Sequence, residues 1–180
     1  MTCIAAIKEK GIVYMGGDSA GVCGLDVRLR ADKKVFKKGE FVFGFTSSFR
    51  MGQLLRFNLE LPYHKAKISD EVFINTVFIE AIRKCLKEGG YAWVKENIEH
   101  GGMFIVGYRG EIYTIESDYQ VARHIENYDA CGCGQDYALT TFFALRKSKL
   151  KPRAKIKAAL EAAVHFSGGV RPPFVFVNTK

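Results

Sequence analysis

A threonine directly after the initiator methionine, Thr2, followed by Asp18 and Lys34 at intervals that suit one hairpin and one further strand, can do acyl transfer from an amide. That reaction needs a nucleophile, a base for its proton and donors for the oxyanion. A terminal threonine supplies two of these itself: its hydroxyl attacks and its α-amine is the base. A free α-amine titrates at about 7.7 to 8.0, so a usable neutral fraction exists at physiological pH. A lysine cation nearby lowers that value further, and an aspartate paired with the lysine holds the cation in place. While Met1 is attached, the Thr2 nitrogen is an amide without basicity. The chemistry therefore requires Met1 to leave, and threonine is small enough for an initiator methionine to be removed ahead of it.

Thr2-Cys3-Ile4, Gly16-Gly17-Asp18-Ser19 and Lys33-Lys34-Val35 together resemble the N-terminal pattern of HslV and the proteasome β-subunits, with no gap in the intervals. The resemblance implies Thr2 as nucleophile, Asp18 binding Lys34, and Lys34 beside the threonine hydroxyl. Gly44-Phe45-Thr46-Ser47 resembles the family loop whose backbone N–H faces the oxyanion, with Ser47 where a glycine is usual. By the same alignment Phe45 lines the pocket for the residue preceding the cleaved bond, and Gly21 and Asp32 are further substrate-binding candidates. An aromatic wall there implies apolar substrate side chains. Gly132-Cys133-Gly134 resembles a Gly-Ser-Gly whose serine hydrogen-bonds near the threonine amine. Cys133 takes that place with a thiol, a weaker partner than a hydroxyl. The family's acidic residue near the end of the last helix is missing from Phe166–Arg171, where Ser167 is its partial substitute. The match is strongest up to Arg50 and weaker from Tyr128 onward, and Leu61 to Gly101 fits only as helix followed by loop.

The elements that must position these residues follow from patterning. Thr2 to Lys8 and Ile12 to Gly17 flank a Lys10-Gly11 turn and read as a β-hairpin, with Asp18 at its end opposite Thr2. An extended piece runs through Leu29, and Lys34 to Lys37 pairs with Phe41 to Thr46 across Lys38-Gly39. Ser47-Ser48 can cap a helix carrying Phe49, Leu54, Leu55, Phe57 and Leu59, which stops before Pro62. A helix over Ser69 to Lys87 has Val72, Phe73, Val77, Phe78, Ala81, Ile82 and Cys85 as its apolar stripe and Gly89-Gly90 as its stop. Strands return at Gly102 to Tyr108, Glu111 to Glu116, Gln120 to His124 and Asp129 to Cys133. Helices at Gln135 to Lys147 and Pro152 to Phe166 then precede a strand at Phe174 to Asn178.

Blocks of strands alternating with blocks of helices favour an α+β fold with mainly antiparallel sheets over a parallel βαβ sheet. The expected architecture is a four-layer αββα sandwich in a single domain spanning 1–180. Hydrophobic residues make up 48% of the chain, enough for a core without disulfides or metals. No repeat, linker or Walker motif is present.

Rival readings are weaker. Cys3 neighbours Thr2, but strand alternation points it to the opposite sheet face. Cys131-x-Cys133 with His124 fits no common zinc spacing, so no metal and no cofactor are expected. Five cysteines, without a paired framework or an evident secretory signal, point to a reducing cytoplasm, and no apolar run is long enough for a membrane span. The chain carries +8, much of it at Arg146, Lys147, Lys149, Lys151, Arg153, Lys155 and Lys157. Such a cluster is ordinarily a solvated face, and without interleaved aromatics it argues against nucleic acid as partner.

The expectation is a threonine endopeptidase acting on polypeptides. The resemblance further implies a homo-oligomeric ring with an internal chamber and a separate ATP-dependent unfoldase. Two alternatives stay open: a non-proteasomal amidohydrolase for a small amide, and a non-catalytic ring or binding protein that keeps Met1.

Overall fold

The computed structural model describes residues 1–180. The first block holds β1 (Ile4–Glu9), β2 (Ile12–Gly17), β3 (Ala20–Cys23), β4 (Asp26–Leu29), β5 (Val35–Lys38) and β6 (Phe41–Phe45). Helix α1 (Phe49–Gln53) runs into a π turn, Leu54–Asn58, and α2 (Asp70–Phe73) passes through a second, Ile74–Phe78, into α3 (Ile79–Glu88). β7 (Trp93–Lys95), β8 (Ile98–His100), β9 (Phe104–Tyr108), β10 (Glu111–Ile115), β11 (Val121–Ala122) and β12 (Tyr128–Cys131) come next. The chain closes with α4 (Gln135–Ala144), α5 (Pro152–Phe166) and β13 (Val175–Asn178).

Two antiparallel sheets form the centre, one in the order β12-β1-β2-β13 and one in the order β11-β10-β9-β6-β5. Three apolar clusters correspond to the three interfaces of a four-layer stack. Phe43, Phe104 and Val106 of the five-stranded sheet pack under Leu54, Phe73, Phe78 and Ile82 of the first helical layer. Ile4, Val13, Met15, Val42 and Ile105 lie between the sheets. Cys3, Ala5 and Ala130 meet Phe142, Ile156, Ala159 and Leu160 of α4 and α5. The architecture is the αββα sandwich that the patterning predicts.

Alternation along β1 divides its side chains between two cores: Ile4 and Ala6 face the other sheet, while Cys3, Ala5 and Ile7 face α5. Close approach of the sheets depends on Gly44, where a Cβ would lie 2.5 Å from Ile4 Cγ2 and 2.6 Å from Met15 Sδ. Caps fix the helix starts: Ser48 Oγ accepts from the Arg50 N–H, and Ser69 Oγ from the Val72 N–H. α5 starts with Pro152 in its first turn, where a missing N–H costs nothing.

Several boundaries differ from the patterning. The extended piece through Leu29 is half of a hairpin, β3–β4, and the loop before Gly101 contains another, β7–β8. The second turns through Glu96 and Asn97, both at positive φ, which a non-glycine sequence does not announce. Gln120 to His124 shrinks to two paired residues. In the long helix Phe73, Phe78 and Ile82 are buried as expected, but Val72 and Val77 are exposed and Ile74, Ile79 and Leu86 take their places. The wider π turn shifts the phase of the stripe.

Candidate active site

The hairpin β1–β2 brings Asp18 back beside the start of β1, because Ile4 pairs with Gly17. Lys34 enters at the head of β5 in the facing sheet. Lys34 Nζ donates to Asp18 Oδ1 at 2.9 Å and to Thr2 Oγ1 at 2.9 Å. Lys34 is 1% exposed, whereas Lys33 next to it is on the surface. The Asp18 carboxylate is saturated: Oδ1 also accepts from the Cys3 N–H at 3.0 Å, and Oδ2 accepts from the Ala20 N–H at 2.9 Å and the Arg171 N–H at 3.3 Å. Burial pulls the Lys34 pKa below the usual lysine range, and the Asp18 charge opposes that shift. Cys3 lies on the other face of the strand, buried, with its thiol pushed up to about 12 by burial first and by Asp18 second. It is no rival nucleophile.

Around Thr2 the peptide Met1–Thr2 occupies the centre of the site. Thr2 Oγ1 donates to the Met1 carbonyl at 2.5 Å, Lys34 Nζ lies 3.4 Å from the same oxygen, and the Met1 side chain fills the space a Cβ on Gly169 would need. The Thr2 N–H points at Cys133 Sγ, 3.3 Å away, and that sulfur is 3.4 Å from Ser167 Oγ. Cys133 and Ser167 thus stand together beside the nitrogen. Gly132 between them and the strand has φ +96, and a Cβ there would overlap the Thr2 carbonyl.

Ser47 adopts φ +60, the left-handed conformation that a glycine would take without strain. Its Oγ accepts from the Met103 N–H at 3.0 Å, which anchors the loop, while the Thr46 N–H donates to the Met103 carbonyl at 3.3 Å. The Ser48 N–H is engaged by Thr46 O, whereas the Ser47 N–H has no acceptor within the protein.

Phe45 walls the small cleft at Thr2, about 80 Å³, together with Val22, Ser47, Ser48 and Phe49. The cleft shares Val22 and Phe49 with a groove of about 640 Å³ along the β3–β4 hairpin, where Gly21 lies. Arg30 covers Gly21 and stacks 3.8 Å above the Phe49 ring. Asp32 is outside the cleft: it binds Arg30 Nε at 2.7 Å. Phe49 and Arg30 escaped the sequence reading, where Phe49 counted only as a helix residue. Arg171 escaped it as well, because the Asp18 contact uses its backbone.

No family model matches the sequence, and no curated protein does. Solved structures do match in shape. BPH of Thiobacillus denitrificans superposes at TM-score 0.83 with 18% identity, covering 98% of this chain and 97% of that one. Eukaryotic HslV of Trypanosoma brucei gives 0.72 at 17% identity, covering 98% of both. Anbu of Yersinia bercovieri gives 0.66 at 11%, covering 98% of this chain and 81% of that one. Identities this low speak to architecture alone, and on that ground the chain has a divergent form of the proteasome-like N-terminal nucleophile hydrolase fold.

Proposed function

We propose that the Met1-free chain is a threonine peptidase that cleaves polypeptides through an acyl-enzyme on Thr2. One observation carries the reading: a buried lysine cation donates at once to the threonine hydroxyl and to a buried aspartate. With Met1 gone, the Thr2 nitrogen becomes an amine beside its own hydroxyl. The amine takes the hydroxyl proton as Oγ1 attacks the substrate carbonyl carbon, and the Lys34 cation favours the developing alkoxide. The tetrahedral oxyanion is met by the Ser47 N–H. Collapse expels the leaving amine, which takes the proton from the Thr2 nitrogen and leaves an ester on Oγ1. Water, deprotonated by the same amine, then hydrolyses the ester. A ring of copies and a separate ATP-driven unfoldase would complete the system.

Epoxomicin, bound in a T. denitrificans BPH structure, is a suitable probe. Intact mass should show loss of Met1 and one adduct on the peptide beginning at Thr2, and Thr2→Ala should abolish both adduct and peptide hydrolysis. Quantitative retention of Met1 in the native host, with no change in hydrolysis on Thr2→Ala, would sink the reading. A second reading, a binding protein that keeps Met1, is favoured by the seat that the Met1 side chain has against Gly169. The same mass measurement decides between them.

A further inference from the structure

A second cavity begins at both flanks of the Gly132-Cys133-Gly134 turn, whose Cys133 faces the Thr2 nitrogen, and shares no lining residue with the cleft at Thr2. The side on which the leaving amine departs follows from the proton flow of the proposed reaction, on which this inference rests. The leaving nitrogen collects its proton from the Thr2 nitrogen, and that nitrogen faces Cys133. The acyl half of the substrate is then left with the cleft of Val22, Phe45 and Phe49. Ala130 and Gln135, on the two flanks of the Gly132-Cys133-Gly134 turn, both line a cavity of about 480 Å³. Met103 lines it too, and its backbone holds the oxyanion loop through Ser47 Oγ and the Thr46 N–H.

The cavity is acidic in a basic chain. Asp129, Glu116 and Glu126 line it, Leu139 and Phe143 of α4 form an apolar wall, and no lysine or arginine is present. Asp129 is 4% exposed; its Oδ2 accepts from Thr114 Oγ1 and lies 3.2 Å from His124 Nε2, and its Oδ1 accepts from the Ala130 N–H at 2.8 Å. Glu116 and Glu126 take part in none of the ion pairs of the chain, although the net charge is +8. The side chains do not converge as metal ligands. What fits is a long side chain with an apolar stem and a cationic end, the stem along Leu139 and Phe143 and the charge among the carboxylates.

We propose that this cavity receives a lysine or arginine side chain from the residues just after the cleaved bond, so that the enzyme selects polypeptides with a basic leaving half. The test uses internally quenched peptides that differ only in the two residues after the cleaved bond: lysine, norleucine or glutamate. Expected kcat/KM falls in that order, with lysine about tenfold above glutamate at low salt, and the ratio drops to about twofold when Glu116→Gln and Glu126→Gln are combined. Equal cleavage of the lysine and glutamate peptides, or a ratio untouched by the double substitution, overturns the proposal. Binding is measured separately on Thr2→Ala protein with Lys-Lys-Ala amide, followed by the backbone amide resonances of Thr114 and Ala130. Saturable shifts that weaken in the double variant support the cavity even if no peptide is hydrolysed, an outcome that defeats the peptidase reading alone; no shift at those amides defeats the cavity.

Discussion

Lys34 Nζ and Asp18 Oδ1 meet at 2.9 Å with their side chains 1% and 0% exposed. Burying such a pair gains little over a well-packed apolar pair, because desolvation of both charges offsets their attraction. Its presence beside a hydroxyl is therefore better explained by chemistry than by stability.

Breaking the pair is a different matter. Lys34→Met leaves a buried carboxylate without its cation and is expected to cost about 3 to 5 kcal/mol in urea denaturation. The paired change Lys34→Met with Asp18→Leu should recover part of that loss while leaving peptide hydrolysis at background. Full activity in either variant would remove Lys34 from the mechanism.

Burial lowers the Lys34 pKa and Asp18 raises it. Between the lowered value and the ordinary lysine value, the unfolded chain holds a proton here that the folded chain has released, so this group makes stability rise with pH across that window. In the proposed reaction activity runs the other way, since the Lys34 cation is what favours the Thr2 alkoxide. The alkaline limb of kcat/KM should set in below the ordinary lysine range, and Asp18→Asn should move it to still lower pH in whatever activity remains. A limb that stays put in Asp18→Asn contradicts the assignment.

Much of this was legible in the sequence. The hairpin from Ile4 to Gly17, with Asp18 at its end beside Thr2, and the α5 span follow from turn chemistry and strand alternation, which are local. Lys34 reaches them from the facing sheet, a long-range packing that only the spacing of the resembled motif announced. Phe49, Arg30 and the Arg171 N–H were not legible, because their positions depend on how a helix start and two loops pack around the sheet ends. Asp32 shows the converse: alignment placed it at the substrate, and in space its carboxylate turns to Arg30.

Ser47 combines a strained backbone with a useful hydroxyl. Ser47→Gly relieves about 1 kcal/mol of left-handed strain and gives up a hydrogen bond of about the same worth, so little net change is expected. Ser47→Val keeps the strain, loses the bond and adds a branched side chain. Thermal unfolding of the two variants should separate them clearly, with only the valine form destabilised.

Gly132→Ala tests the seat of Thr2, the proposed nucleophile. A methyl group there meets the Thr2 carbonyl at a φ that disfavours any side chain, whereas Gly168→Ala places its methyl in open space. Epoxomicin labelling should fail in the first variant and persist in the second. Comparable labelling in both would show that the turn at Gly132 does not set the position of Thr2.

The thiols should divide by access. Cys23 and Cys133 are exposed and Cys85 half-buried, while Cys3 and Cys131 are buried with their pKa values raised by burial. Iodoacetamide footprinting of the folded chain should modify Cys23 and Cys133 first and leave Cys3 and Cys131 untouched until denaturant is added. Modification of Cys133 should also slow hydrolysis, because the adduct sits against the Thr2 nitrogen.

β1 gives alternate side chains to two separate cores and pairs with a strand along each edge. Its amides are therefore expected to be among those that exchange with solvent only when the whole molecule opens, whereas the β3–β4 and β7–β8 hairpins, paired only with themselves, are expected to exchange by local fraying. Under the proposed reading, Thr2 hangs from a slowly exchanging segment and the groove at Gly21 from a hairpin free to fray, so breathing of the groove would admit a polypeptide while Thr2 Oγ1 stays in register.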